Sequence, residues 1–264
     1  MTKEELIEKV KKGEKKSVLA LKKAQVKHSD PVSGVVAQSG NTTIKADGQD
    51  VMTVKVVINT TDVMDSHSDV HLPGIWNKSL SDRKSFMLLK EHKLSFENII
   101  SDTAKAEAAQ IGWKQLGIEN DGVTEALVFT AEIDKDRNPY MFKQYANGHV
   151  KNHSVGMQYV KIDLAINDES LEHEYGLWTK YIDQILNKEE VIEQGYFFPV
   201  FEAKILEGSA VPIGSNWITP TLEAVSDTSK IEPSKDTRSE FLNDLLTRKF
   251  DFRDERNRIS SSGT

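Results

Sequence analysis

The 264-residue chain contains no cysteine. That excludes disulfides, thiolate metal sites and cysteine nucleophiles, and it fits a reducing compartment. Long apolar runs are also missing. No stretch approaches the length of a membrane span, and the lysine-bearing N-terminus has no continuous apolar segment of the signal-peptide kind. The expected address is therefore the cytoplasm, with no membrane partner. Positive charge is not in excess either. The 34 Lys and Arg stand against 41 Asp and Glu, a formal net charge of −7, unlike a polycationic nucleic-acid binder. A phosphate-cradling glycine loop is absent, so a sugar or nucleotide enzyme has no support. What remains, with 38% apolar residues, is enough for one substantial core and a small appendage.

Charge is unevenly spread along the chain. Residues 1–27 carry nine Lys against four Glu. Leu6, Ile7 and Val10 share one helical face, as do Val18, Leu19 and Leu21 beyond the break at Gly13, so the segment reads as one or two short amphipathic helices on a lysine-rich arm. Its alternatives are a solvated arm or one that docks on an acidic partner or on nucleic acid. Residues 28–50, rich in Ser, Gly, Asp and Thr, read as a linker with a weak strand. The compact domain is expected over 51–220, opening with the β-branched alternation of VMTVKVVINT. A short helix is expected over 75–83 and a strand over 85–92. Two strands over 108–133 flank a tight Asn-Asp-Gly turn. Pro139 is placed to start a helix that Gly148 stops. Two long strands follow, the second beginning near Tyr196. Pro199 puts that strand at an edge or at a bulge. Between them, residues 167–195 form an acidic helical insertion. The charged extension 221–264 is expected to hold a short helix at 241–250 and a frayed tail. The domain is thus β-dominated with two or three helices.

One stretch raises a chemical question. NHSVGMQYVKI, residues 152–162, alternates as a strand yet opens on His153-Ser154 with Gly156 two residues on. A serine hydroxyl becomes a nucleophile only when a base takes its proton, and that base, commonly histidine, is held by a third group. His28 falls in the linker; His67, His71, His92, His149, His153 and His173 fall in the domain. His92 closes the apolar run FMLLKEH, where a rigid strand can present its ring. His153 points to the opposite side of a regular strand from Ser154 and is the weaker base. In VFEAKILEGSAV, Glu207 shares parity with Phe201, Ala203, Ile205, Ser209 and Val211, a core-like set. A carboxylate there must be paired, and partnering a histidine would satisfy it. Glu202 has the opposite parity and is held in reserve, because a bulge would reverse the assignment. Gly156 is expected where a peptide must approach closely, with backbone N–H groups near it holding an oxyanion. The MDSHSDVH loop carries imidazole and carboxylate ligands, but no second cluster has ligand spacing, so no metal or other cofactor is expected.

Taken in order, DVMDSHSDVHLPGIWNKSL (62–80), FMLLKEH (86–92), HSVGM (153–157) and ILEGSAVPIGSN (205–216) resemble the prohead protease family of tailed bacteriophages. The resemblance covers roughly 52–220. It implies a closed or partly closed antiparallel β-barrel with peripheral helices, as in herpesvirus assembly proteases. Ser154 matches the nucleophile, His92 the general base and Glu207 the glutamate of the closing strand; backbone at Val155 and Gly156 would support the oxyanion. It also implies a serine endopeptidase that processes major capsid protein or scaffold, and itself, inside the procapsid in the host cytoplasm. The portal and a second copy of the chain are further partners it suggests. Ser68 stands where the family pattern has glycine, Lys90-Glu91 where it has Asn or Asp, and the insertion at 167–195 is long. That insertion is expected to be a lid, a dimerisation element or an excursion. The two charged ends are expected to be targeting segments or segments trimmed by self-cleavage, with SVLALKKAQ exposed. The alternative class is an inactive scaffold-type assembly protein.

Overall fold

The structure, a computed structural model, describes residues 1–24, 43–45 and 50–225. Two helices open it, α1 (Lys3–Lys11) and α2 (Lys15–Ala24). The strands are β1 (Thr43–Lys45), β2 (Val51–Thr60), β3 (Asp69–His71), β4 (Phe86–Lys90), β5 (Ile99–Gly112), β6 (Val123–Asp134), β7 (Asn152–Ile162), β8 (Ala165–Ile166), β9 (Tyr196–Val211) and β10 (Thr221–Val225). Between them lie α3 (Asn77–Asp82), α4 (Pro139–Ala146), α5 (Glu172–Tyr181) and α6 (Lys188–Gln194). The fold is mixed α/β around a large, mostly antiparallel sheet.

Strand order runs β1-β10-β2-β6-β5-β4-β9-β3, with β7 and β8 also on β9. Among the described residues this path does not return to its start, so hydrogen bonding does not close a barrel. Two long strands turn the sheet. The first part of β5 pairs with β4 (Phe86↔Ala104) and its second part with β6, from Lys105 to Gly112. In the same way β9 meets β3 and β8 near its start, then β7, and β4 near its end. Core side chains fill the inner face, among them Val54, Val56, Ile58, Leu88, Phe129, Met157, Ala203 and Ile205.

Local signals predict most elements well. Pro139 sits in the first turn of α4, the Asn138 side chain caps it by accepting from Met141 N–H at 3.1 Å, and Gly148 follows with φ +67°. The tight turn expected at 119–122 is not formed. Trp113 and Leu116 instead make a short 3₁₀ turn and bury in a side cluster with Val57, Val63 and Ile218, which lengthens the connection from β5 to β6. Apolar burial outweighed the turn preference of Asp121-Gly122. Pro199 lies between β3 and the β7 end, and the β7–β9 register slips nearby, between Lys161 and Ile162. Of the two alternatives for that proline, the irregular site is the one found.

The N-terminal arm is packed on the body. Leu6 and Val18 are buried in the main core, and the Thr2–Glu5 capping box starts α1. Lys15 Nζ lies 2.6 Å from Asp163 Oδ1 and 2.7 Å from Glu174 Oε1. Lys22 is buried: its Nζ donates to the His67 carbonyl at 2.6 Å and lies 2.8 Å from Asp69 Oδ1. The SVLALKKAQ segment, expected to be exposed, is therefore helical and docked over residues 17–24. The folded unit takes in both α1–α2 and β10, so the domain edges drawn at 51 and 220 are too narrow. The rest of the expected linker, the helix at 241–250 and the tail lie outside the described residues.

The insertion packs against β8 and the start of β9. Trp178 lies 5.7 Å from Phe197, within a second cluster that holds Val70, Ile185 and Val191. The insertion also reaches further along β9, where the Tyr181 ring meets that of Phe201 at 6.0 Å between centroids.

Candidate active site

The β7–β9 ladder decides which side chains meet. Ser154 pairs with Ser209 and Gly156 with Glu207, but the next pair is Met157 with Ile205. Leu206 is the extra residue of a bulge. Ala203 and Ile205 therefore face the core with Met157 and Tyr159, whereas Glu207 and Ser209 face the other side with Ser154 and Gly156. The parity expected for β9 was wrong on this point: Glu207 and Ile205 do not share a face. The same bulge leaves Glu207 as the histidine's partner and Glu202, which pairs across from Lys161, outside the site.

His92 arrives from the other flank of β9. Strand β4 runs parallel to β9, with Leu89 opposite Ser209 and Lys90 opposite Ala210. Just beyond it, Glu91 and His92 both adopt φ +55°. Left-handed backbone at two successive non-glycine residues costs about 1–2 kcal/mol each. It is held by Glu91 N–H donating to Ala210 O at 3.0 Å and His92 N–H donating to Ser209 Oγ at 3.0 Å. The turn aims the largely buried imidazole back over the sheet, with Nδ1 2.6 Å from Glu207 Oε1. A carboxylate only accepts, so Nδ1 carries the proton and Nε2 is the basic nitrogen.

Ser209 is a further member of the site, with no role evident from the sequence. Its hydroxyl donates to Glu207 Oε2 at 2.6 Å while accepting the His92 N–H. One side chain thus ties the strained turn to the carboxylate that orients the ring. Its sequence signal was slight: a serine two residues after Glu207, in the same motif.

Ser154 sits on the adjoining strand opposite Ser209, about 5.5 Å away between Cα atoms for a pair of this kind. Its hydroxyl enters none of the side-chain hydrogen bonds among the described residues; those of the site run through His92, Glu207 and Ser209. The room at Gly156 is used by the glutamate. A Cβ there would overlap the Glu207 carboxylate, 2.8 Å from its Cδ. Val155 is buried on the core side. His153 N–H points away from β9 to Thr219 O at 3.1 Å, and strand alternation sends the Val155 N–H to that same edge. The Gly156 N–H turns toward β9 instead.

His153 is a buried pin. Its Nδ1 donates to Thr219 O at 3.0 Å, so Nε2 accepts from the Tyr145 hydroxyl, also at 3.0 Å. Burial pushes its pKa down to about 4, partly opposed by the Thr219 carbonyl. It is neutral at pH 7 and faces away from Ser154, as strand parity predicts.

The MDSHSDVH loop folds into a compact turn. Asp65 Oδ1 accepts from His67 N–H at 2.8 Å and Asp69 N–H at 3.0 Å. Ser68 has φ +65°, so this backbone takes the glycine-type conformation although the residue is serine. Asp65, Asp69 and His71 bring ligand atoms within 4.8 Å of one another and are the residues that could hold a metal. The chain's own Lys22 ammonium already reaches Asp69, and Tyr159 donates to the other oxygen of that carboxylate. Elsewhere, His149 contacts Gln144 and His173 contacts Asp163, neither near Ser154 in the fold's hydrogen bonding. Lys90 lies 5.6 Å from the Tyr140 ring and Glu91 pairs with Lys93 at 2.6 Å, so these two unexpected charges have local partners.

No known protein family, curated protein or solved structure matches the chain.

Proposed function

We propose that the chain is a serine endopeptidase of the prohead-protease type. Its barrel, open by hydrogen bonding, would be the partly closed form of the herpesvirus-assemblin architecture. The observation that carries the reading is the His92–Glu207 contact at 2.6 Å, on the same sheet face as Ser154. An imidazole oriented by a carboxylate, beside a strand serine, is the arrangement that general-base catalysis needs.

In this mechanism His92 Nε2 takes the Ser154 proton as Oγ bonds to the scissile carbonyl carbon. Glu207 stabilises the imidazolium that results. The Val155 N–H, at the edge not used by β9, donates to the oxyanion. As the C–N bond breaks, His92 returns its proton to the leaving amine, and water, activated by the same imidazole, hydrolyses the acyl ester. Substrate binding must draw Ser154 Oγ within reach of His92; catalytic hydrogen bonds are often long in the substrate-free state. No metal or cofactor enters these steps. The substrates would be the scaffold or the major capsid protein of a tailed phage procapsid, or both, together with the chain itself, and the enzyme would work inside that shell.

The test is intact mass spectrometry of the chain and of Ser154→Ala and His92→Ala, each incubated with assembled procapsids. Fragments produced by the wild type and by neither variant support the protease. Unchanged substrates turn the reading toward an inactive assembly protein, in which His92 and Glu207 merely fasten β4 to β9.

A further inference from the structure

The loop that carries His92 also carries the two most exposed large apolar side chains among the described residues. Leu94 is 76% exposed and Phe96 92%. The loop is well fastened. Lys93 N–H donates to Lys90 O at 3.1 Å, Asn98 N–H to Ser95 O at 2.9 Å, and the Asn98 amide to Ser95 Oγ at 2.6 Å. From α4, the Asn138 amide donates to Ile99 O at 3.0 Å and holds the loop's far end. Ser95 between the two apolar residues is extended, with φ −143° and ψ 157°, which sets Leu94 and Phe96 on one side of the chain. Tyr140, at the start of α4 and 61% exposed, adds an aromatic ring beside the loop through Lys90.

A fastened loop has no need to present a leucine and a phenylalanine to water, and burying either side chain is worth about 1.5–3 kcal/mol. Leu94 is two residues from His92 and Phe96 four, so both sit on the loop that carries the proposed base, where a polypeptide bound at His92 would pass. We infer that Leu94 and Phe96 form an apolar lip of the substrate cleft, selecting polypeptides with large apolar side chains next to the bond that is cut. This rests on the serine-protease reading.

The full-length wild type, Leu94→Ser, Phe96→Ser and the double variant are given a mixture of random-sequence peptides and the cleaved bonds are read by mass spectrometry, with Ser154→Ala as blank. Both residues are exposed, so the variants should keep the wild-type melting temperature. The wild type should cut beside Leu, Phe, Met or Val within about three residues of the bond. For such peptides the double variant should raise KM about tenfold or more while kcat stays within about twofold, with the apolar preference lost. Ser154-dependent cleavage with an unchanged preference in the double variant overturns this inference and leaves the protease standing. Cleavage by no chain overturns both. A wild-type dimer that the double variant converts to monomer, with preference unchanged, assigns the pair to self-association and overturns the inference as well.

Discussion

The two oxygens of Glu207 are divided between two partners: Oε1 lies 2.6 Å from His92 Nδ1, and Oε2 accepts from Ser209 Oγ at 2.6 Å. Because Ser209 Oγ also accepts the His92 backbone N–H at 3.0 Å, residue 92 is held twice, once by its ring and once by its chain. Orientation of the imidazole is therefore a property of β9.

Glu207→Gln keeps the shape and removes the charge. An amide that donates to Nδ1 favours the wrong tautomer, and the imidazolium loses its counterion. Ser154-dependent cleavage should fall about 10³–10⁴-fold in kcat with little change in melting temperature. Single-turnover kinetics on a cleaved peptide would measure it, and retention of more than a tenth of the wild-type rate would remove Glu207 from the mechanism.

Ser209→Ala should lower kcat about ten- to a hundredfold at nearly constant KM, since it deletes a hydrogen bond to a charged group and frees the left-handed turn. Ser209→Thr restores the hydroxyl and should recover much of the rate. The proton resonance of His92 Nδ1–H should be sharp and far downfield in the wild type and broadened in the alanine variant. Equal spectra in both would reduce Ser209 to a packing residue.

Gly156→Ala places a methyl group where the Glu207 carboxylate lies. Either the strand or the glutamate must shift, at about 1–3 kcal/mol. The expected protein is folded by circular dichroism and at least about a hundredfold slower, because a displacement of about 1 Å is enough to spoil the pair.

His153 makes stability depend on pH. Its folded pKa, about 4, lies below the unfolded value near 6.5. Between those two values the unfolded chain binds a proton that the folded chain refuses. The contribution is thus fully present above pH 6.5 and is lost as pH falls toward 4. Asp62, whose pKa burial pushes up to about 6, works in the opposite direction, so the comparison is between proteins: from pH 7 to pH 5 the wild type should lose about 2 kcal/mol more than His153→Gln in urea denaturation. A variant that keeps the full slope would place the titrating group elsewhere.

Lys22→Ala leaves Asp69 buried beside the Tyr159 hydroxyl without its ammonium. Breaking a buried pair of this kind costs about 3–5 kcal/mol. Hydrogen exchange should show α1 and α2 opening first, at lower denaturant than β2 or β6. Lys16→Ala, on the same helix with no buried partner among the described residues, serves as the control and should change stability by less than about 0.5 kcal/mol.

Legibility followed the range of the interaction concerned. The limits of β2 and α4 were readable because alternation, Pro139 and Gly148 act within a few residues. His92 and Ser154 were readable as candidates, the first at the end of an apolar strand and the second beside a glycine. Glu207 was readable as a carboxylate in need of a histidine, but the face it occupies was not, since a bulge at Leu206 is set by how β7 lies against β9 and has no local signature. The docked arm was equally hidden. In a lysine-rich amphipathic segment all the lysines look alike, and only the buried Asp69 singles out Lys22.

By itself, then, the sequence determined the chemistry available: no thiol, a strand serine beside a glycine, a histidine closing an apolar run, and a glutamate that needed a partner. Tertiary structure alone decided that β4 and β7 flank the same stretch of β9, which brings His92 and Ser154, 62 positions apart, to one face. The reason is physical. Strand pairing joins residues distant in the chain through backbone groups that every residue carries, so no side-chain pattern along one strand specifies its neighbours.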